Sequence, residues 1–413
     1  MTGVQTCALP IFLHVLNVDA VGGVEHLFHN LIASGRARDD QRDHVLVTGG
    51  RIHPHFARGL RKGLASTHYS KTWHGLKIPK RPRLVRQWRQ TQIMAKVRPD
   101  LAVLWNRFGD LAIVDSLRRT SAATVYYEHG AAWLAETNAR NHEFVRAVDS
   151  VICASVAARR VYELRWGYQG GIKVVLNCLR PDMLPDRPLV KSIPKDRPIL
   201  LGIAARLVPL KGVGVALHAL RQLRFEGHDV ELRIAGTGPL EGHLARMAKD
   251  LEIHGAVTFC GCLEDMSKFY QQIDLLIVPS VREPFGMVII EAGAHGCPSV
   301  ATRVDGIPEA LVDQKTGLSI APELELEQCA TFGGDRSEFP DVVYNPENDR
   351  LEPPRFLDPK RLAKAVASLL DDPAKYQELS AAAAQYARDG FNAETYAERL
   401  RACFSEVLSA RNL

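Results

Sequence analysis

Leu275-Leu276-Ile277-Val278-Pro279-Ser280-Val281-Arg282-Glu283-Pro284-Phe285-Gly286-Met287-Val288-Ile289-Ile290-Glu291 decides how this 413-residue chain is read. Four apolar residues make a short buried strand, and Pro279-Ser280 ends it. A polar turn follows, and a helix opens near Phe285. A helix start offers free backbone N–H groups and the positive end of its dipole. That suits a phosphate or a sugar hydroxyl. Gly286 lets a ligand come close to the backbone. Glu291 lies on the new helix, where its carboxylate can accept from a ribose diol. Glu283 stands just before the helix, placed to face a sugar. Phe285, Gly286, Met287 and Val288 open the helix and are expected to line the same ligand. A helix cap with two surface carboxylates is the plainer reading. Two glutamates eight apart are common by chance, but the Pro-Phe-Gly between them is not.

Working outward, Arg206 and Lys211 follow the strand Pro198–Ala204, within Ala205-Arg206-Leu207-Val208-Pro209-Leu210-Lys211. Two cations just past a strand end suit a diphosphate leaving group. Gly236-Thr237-Gly238 follows the strand Val230–Ile234. With Gly242 it comes near the dinucleotide fingerprint, but the spacing is off by one residue. No acid at a second strand end follows about 20 residues on. A tight turn beside a nucleotide is the better reading of Gly236 and Gly238, and an NAD oxidoreductase is disfavoured. Gly22-Gly23 is the matching turn after the first strand. Glu128-His129-Gly130 follows the strand Thr124–Tyr127, where a histidine can bind a sugar hydroxyl or handle a proton.

Strands alternate with helices throughout, which predicts parallel-sheet α/β architecture. The first set comprises Phe12–Val18, His44–Thr48, Leu101–Leu104, Thr124–Tyr127, Ser150–Cys153 and Lys173–Leu176. Pro181–Pro198 carries five prolines in 18 residues and reads as an interdomain linker. A second set runs through Pro198–Ala204, Val230–Ile234, Val257–Phe259, Leu275–Val278 and Ser299–Ala301. Two such halves would leave a cleft between them, where ligands commonly sit. The expected division is 12–185, 186–375 with an insertion at 323–359, and C-terminal helices over 376–413. Glu323–Pro359, rich in Glu, Asp, Pro and Gly, reads as a loop-like insertion, a lid or an edge excursion. Helices are expected at Pro359–Leu370, Pro373–Asp389 and Ala393–Leu408. Residues 1–11 read as a non-native leader, so the fold is expected to begin near Phe12.

No apolar run reaches the ~18–20 residues needed to span a bilayer. Eight cysteines without a Cys-x-x-Cys pair read as reduced core residues rather than a disulfide or metal framework. Charge is uneven. Phe12–Asp186 holds 26 Lys/Arg against 15 Asp/Glu, and the rest holds 26 against 32. Between His44 and Pro99 there is no carboxylate, yet 13 Lys/Arg from Arg51 to Arg98, interspersed with Phe56, Tyr69, Trp73 and Trp88. One-sign charge with aromatics suits an anionic membrane surface or an anionic acceptor, in preference to nucleic acid.

Taken together, these segments resemble glycosyltransferase family 4, most strongly over Leu200–Gly317. Glu283 to Glu291 resembles its paired-glutamate motif, Arg206 and Lys211 its diphosphate-binding pair, Gly22-Gly23 its N-terminal turn and His129 its cleft histidine. Asp305-Gly306-Ile307-Pro308-Glu309 and Lys315-Thr316-Gly317 also fit. The resemblance implies a GT-B fold, with two Rossmann-like domains facing across a cleft and a C-terminal helix returning to the first. It implies retaining transfer of a sugar from a nucleotide-diphosphate sugar to a glycan or glycolipid, without a cofactor or divalent ion. No Asp-x-Asp motif is present. His129, Arg206, Lys211 and Glu283 would be catalytic. The setting implied is cytoplasmic, peripheral at the inner membrane face, in envelope polysaccharide or lipopolysaccharide synthesis. Four departures stand out: Ala205 and Cys178 replace usual glycines, Asp305 replaces the first of two, and the Glu323–Pro359 insertion is longer than the family's usual short connection. A sugar-nucleotide epimerase and a non-catalytic membrane-associated homologue are the alternatives.

Overall fold

The computed structural model describes residues 9–34, 43–73, 76–79, 81 and 83–411. They divide into two compact units. The first takes in the chain up to Ala154, Tyr162–Arg180 and the residues from Ala393 onward; the second holds Ser155–Val161 and Pro181–Asn392.

In the first unit the strands are β1 (Ile11–Val15), β2 (Asp43–Thr48), β3 (Ser66–Tyr69), the hairpin β4–β5 (Thr72–Trp73, Leu76–Lys77), β6 (Leu101–Trp105), β7 (Ala123–Glu128), β8 (Ser150–Cys153) and β9 (Ile172–Val174). Helices α1 (Gly23–Ser34), α2 (Pro54–Gly63), α3 (Arg83–Val97), α4 (Leu111–Arg118), α5 (Ala131–Leu134) and α6 (Ala139–Ala147) connect them, and α7 (Val156–Trp166) belongs here from Tyr162 onward. Among the described residues the main sheet is parallel, in the order β3-β2-β1-β6-β7-β8-β9. β6 and β8 are buried along their whole length, as a parallel sheet covered on both faces requires. α15 (Ala393–Arg411) belongs to this unit although it lies far along the chain. Its Tyr396, Ala397, Leu400 and Phe404 enter the same core as Phe12, Leu101 and Val103 of the sheet. Phe12 and Phe404 meet edge to face at 5.6 Å.

The second unit has β10 (Ile199–Ala204), β11 (Val230–Ala235), β12 (Val257–Gly261), β13 (Leu275–Val278), β14 (Ser299–Thr302) and β15 (Gly317–Ile320) in the parallel order β12-β11-β10-β13-β14-β15. Around it lie α8 (Val213–Phe225), α9 (Glu241–Asp250), α10 (Met266–Gln272), α11 (Met287–Ala294), α12 (Ile307–Ala310), α13 (Pro359–Leu370) and α14 (Pro373–Gly390), with a small antiparallel hairpin of β16 (Val343–Asn345) and β17 (Arg350–Glu352). Both units are therefore doubly wound, and each sheet reverses its strand order once: between β1 and β6, and between β10 and β13.

Several expectations are corrected. The first strand starts at Ile11, inside the stretch read as a leader, and the Ile11 amide donates to Asp100 at 2.7 Å. Residues 1–8 of that stretch lie outside the described residues. Pro181–Pro198 is fastened to the second unit rather than slung between two. The Lys191 ammonium donates to the carbonyls of Tyr270, Gln271 and Ile273, capping the end of α10. Glu323–Pro359 is packed, with Leu326, Phe332, Phe339, Phe356 and Leu357 joining the core of the second unit. Phe56, counted with the basic stretch, is fully buried. Cys153, Cys178, Cys297, Cys329 and Cys403 are buried free thiols, but Cys260 and Cys262 are not core residues. Among the described residues no helix is long and apolar enough to cross a membrane.

Candidate functional site

In doubly wound sheets, ligands bind beyond the carboxyl ends of the two strands where the order reverses. In the second unit those strands are β10 and β13. The loop after β10 carries Arg206 and Lys211, and the loop after β13 carries Glu283. Their backbones touch: the Val281 amide donates to the Leu210 carbonyl at 2.9 Å. Gly212 has a φ of 62°, and a Cβ there would sit 2.0 Å from the Pro279 carbonyl oxygen. Only glycine permits that approach. The result places Lys211 Nζ 2.5 Å from Glu283 Oε2, both side chains largely withdrawn from solvent. Arg206 is exposed, and its guanidinium has no hydrogen bond or ion pair among the described residues. Glu283 balances the Lys211 charge, which leaves Arg206 as the exposed cation of this loop without a counter-ion among the described residues.

Glu283 is itself held from behind. Its amide donates to Asp305 Oδ2 at 3.0 Å, and the Tyr344 amide donates to Asp305 Oδ1 at 2.7 Å. The Asp305 amide returns a bond to the Tyr344 carbonyl, and the Gly306 amide one to the Glu283 carbonyl. Asp305 is buried and adopts a φ of 47°, a left-handed conformation that glycine normally occupies. Its place where glycine is usual is thus explained. The conformation is kept, and the carboxylate ties the Glu283 loop to β16. Asp305 and Tyr344 carried no signal of this in the sequence, because the three segments meet only in the fold.

Gly286 caps α11 with a φ of 100°, so its glycine serves the turn. The Phe285 ring is buried and meets Phe391 edge to face at 5.7 Å. Its side chain is therefore core, and only its backbone is left for a ligand. Met287 and Val288 are half-buried at the helix start. Glu291, on the following turn, accepts from the Tyr270 hydroxyl at 2.8 Å. That orients its carboxylate, and Tyr270 is a further residue the sequence reading missed. Gly236 and Gly238 are required by packing of backbone on backbone. Added Cβ atoms would lie 1.9 Å from the Ala205 carbonyl and 2.4 Å from that of Leu207. The Leu207 amide donates to Thr237 at 2.9 Å. The two glycines thus brace the loop bearing Arg206.

The first unit has its reversal at β1 and β6. A pocket of about 340 Å³ opens there, lined by Asn17, Glu25, Trp105, Asn106, Arg107 and Asp110 among others. Gly23 opens α1 with free space around it, while a Cβ on Gly22 would meet only the Glu25 carboxylate. Glu25 is raised above the usual carboxylate range, chiefly by burial and also by the charge of Asp19. His129 follows β7 and stacks flat on Trp105 at 5.9 Å, against Tyr127 at 4.1 Å. Both ring nitrogens are shielded from solvent and have no hydrogen-bond partner among the described residues, a costly state that a ligand hydroxyl would relieve. Burial lowers its pKa to about 3. The ring is therefore neutral at ordinary pH, which suits hydrogen bonding and not proton storage. Glu128 fixes this turn: its buried carboxylate accepts from the Tyr126 hydroxyl at 2.6 Å, from the Ala132 amide at 3.1 Å and from the Gly130 amide.

His129 has a consequence in acid. Its folded pKa lies below the unfolded value of ~6.5, so the unfolded chain takes up the proton first as pH falls. The stability is intact above that value and is lost as pH drops toward 3. His129→Gln is expected to flatten the fall in urea midpoint between neutral and acid pH. Identical pH slopes for the two proteins would overturn this.

Residues 198–332 match the family model described as glycosyl transferases group 1. The glycogen synthase of Mycobacterium tuberculosis is 28% identical over 319 residues, covering 76% of this chain and 68% of that protein. A lipopolysaccharide core biosynthesis glycosyltransferase of Rhizobium meliloti is 30% identical over 180 residues, 43% of this chain and 51% of that one. A GDP-mannose-dependent phosphatidylinositol monomannoside mannosyltransferase of Mycolicibacterium smegmatis is 34% identical over 149 residues, 34% of this chain and 38% of that protein. The match thus spans about half or less of the last two. A glycosyltransferase from Rickettsia africae superposes with a TM-score of 0.72 at 15% identity, over 97% of this chain and 98% of that one. The Anabaena protein HepE, solved with UDP and glucose, gives 0.69 at 17% identity, over 95% and 99%. The fold is GT-B. Residues 198–332 carry the likeness to glycosyl transferases group 1.

Proposed function

We propose that the chain is a retaining glycosyltransferase, acting without a metal ion on a nucleotide-diphosphate sugar and a glycan or glycolipid acceptor. Its setting is envelope polysaccharide or lipopolysaccharide synthesis, on the cytoplasmic side and against an anionic membrane surface. The observation that carries the chemistry is the Lys211–Glu283 pair at 2.5 Å, with Arg206 exposed on the same loop as Lys211. When the bond from the anomeric carbon to the leaving oxygen breaks, negative charge collects on the diphosphate. Arg206 and Lys211 are placed to stabilise that charge as it develops. The acceptor hydroxyl attacks from the face the leaving group departs, and a phosphate oxygen takes its proton. Configuration is retained. Glu283 holds donor sugar hydroxyls, the backbone at Phe285–Val288 and the Glu291 carboxylate hold phosphate and ribose, and neutral His129 binds a sugar or acceptor hydroxyl. The relatives support this reading: one is named for GDP-mannose, and one structure holds UDP and glucose.

Thermal denaturation with UDP, GDP and ADP tests the donor. One nucleotide is expected to raise the midpoint, because it binds the folded state alone. No shift with any of the three would overturn the donor assignment. Anomeric coupling constants of the product by NMR test retention, and an inverted product would overturn it. Release of an epimerised donor with no acceptor present would favour the epimerase.

A further inference from the structure

The first unit bears a surface that the transfer chemistry does not use. Leu76 on the β4–β5 hairpin and Leu84 on α3 are 76% and 73% exposed, and Trp73, Val85 and Trp88 are also exposed. The Trp73 and Trp88 rings meet edge to face at 5.5 Å, which joins hairpin and helix into one patch. Leu84 and Trp88, four residues apart, lie on the same face of α3. Exposed apolar clusters of this kind mark interaction sites. Beside it, Arg81, Arg86 and Arg140 line a pocket of about 710 Å³ between α3, α4 and α6, where Asp115 is the only carboxylate among the described residues of its wall. Arg86 is held by a bond to the Ile78 carbonyl at 2.8 Å. The guanidiniums of Arg81 and Arg140 have no partner among the described residues.

The composition selects the occupant. A soluble polyanion would use the arginines and leave two leucines and two tryptophans in water. A second copy of this face would bring its own arginines against these. A bilayer with anionic headgroups satisfies both, since phosphates lie at the level of the arginines and acyl chains just beneath. Tryptophan beside arginine is the pairing that sits at such an interface.

We propose that Trp73, Leu76, Leu84 and Trp88 enter the headgroup boundary of an anionic phospholipid membrane while Arg81, Arg86 and Arg140 take lipid phosphates. This narrows the basic stretch Arg51–Arg98 to one edge, and it rests on the membrane setting proposed above. It leaves α2 out, since Phe56 and Leu60 turn that helix to the core.

The test is co-sedimentation of the full chain with vesicles of phosphatidylcholine alone or with an equal part of phosphatidylglycerol. Binding to the mixed vesicles alone is expected, with a blue shift of tryptophan fluorescence and loss at high salt. Leu84→Ser and Trp88→Ser are each expected to weaken partitioning about tenfold. Arg140→Glu is expected to weaken it several-fold. Equal binding to neutral vesicles, or unchanged partitioning by Leu84→Ser, would overturn the proposal. So would binding to heparin without binding to vesicles, which would reassign the surface to a soluble polyanion. Each variant is expected to keep the nucleotide-induced thermal shift. In the wild type, absence of vesicle binding with that shift intact sinks the docking surface alone, whereas a missing shift sinks the donor reading.

Discussion

Lys211→Ala is expected to lower turnover by about two to three orders of magnitude while the fold survives. The ammonium is the charge nearest Glu283, on a loop whose course is set by backbone contacts and not by the side chain. Gly212 packs against Pro279, and the Val281 amide bonds to Leu210. Alanine removes none of these. What it removes is a cation where the diphosphate's charge would develop, and it leaves Glu283 without its counter-ion. Lys211→Arg keeps the charge on a longer, planar head and is expected to recover only part of the rate. A double-mutant cycle with Glu283→Gln separates two roles. If the pair served only to hold the loops together, the second substitution would relieve the first. If both side chains act on the donor, the double variant is expected to be at least as slow as either. Steady-state rates with a circular dichroism melt of each variant decide it. Wild-type turnover in Lys211→Ala would remove the diphosphate assignment.

Asp305→Ala is expected to cost about 2–4 kcal/mol of stability, because the Glu283 and Tyr344 amides both lose their acceptor. It also keeps a side chain in a left-handed conformation. Asp305→Gly loses the same two bonds but is at ease at a φ of 47°, so it is expected to be about 1–2 kcal/mol less damaging than alanine. Asp305→Asn retains one acceptor oxygen and tolerates the conformation, and is expected to be mildest. Urea unfolding ranks the three, and alanine as stable as asparagine would refute the bridging role. Turnover is expected to fall along the same series, since the Glu283 loop loses its anchor.

The buried strands are legible in the sequence because parallel sheets need unbroken apolar runs. Ser150–Cys153 and Leu275–Val278 match to the residue. β3, Ser-Thr-His-Tyr, escapes because it is a polar edge strand. β15 escapes because its four residues, Gly-Leu-Ser-Ile, are too short to show a period. The segment Glu323–Pro359 misleads for a related reason. It turns through 3₁₀ helices, and Leu326, Cys329 and Phe332, buried at intervals of three, are too few to stand out as a helical face. At the site, Arg206, Lys211 and Glu283 stand out because charge just beyond a buried strand needs a reason. Asp305, Tyr270 and Glu128 do not, since their partners come from elsewhere in the chain or from backbone amides that carry no letter. Strand order, which makes both reversal points special, cannot be read before the sheets are assembled.

The position of α15 has a consequence for how this protein is made. β1 leaves the ribosome long before α15, yet Phe12 packs against Phe404. The first unit therefore waits, with part of its apolar surface uncovered, while the whole of the second is synthesised. The second holds residues 155–161 and 181–392, all of them made before α15. The usual order of synthesis, in which the N-terminal domain is complete first, is reversed here. A nascent chain stalled before Ala393 would carry a finished second unit and an unfinished first one, with chaperones as the natural cover for the exposed face.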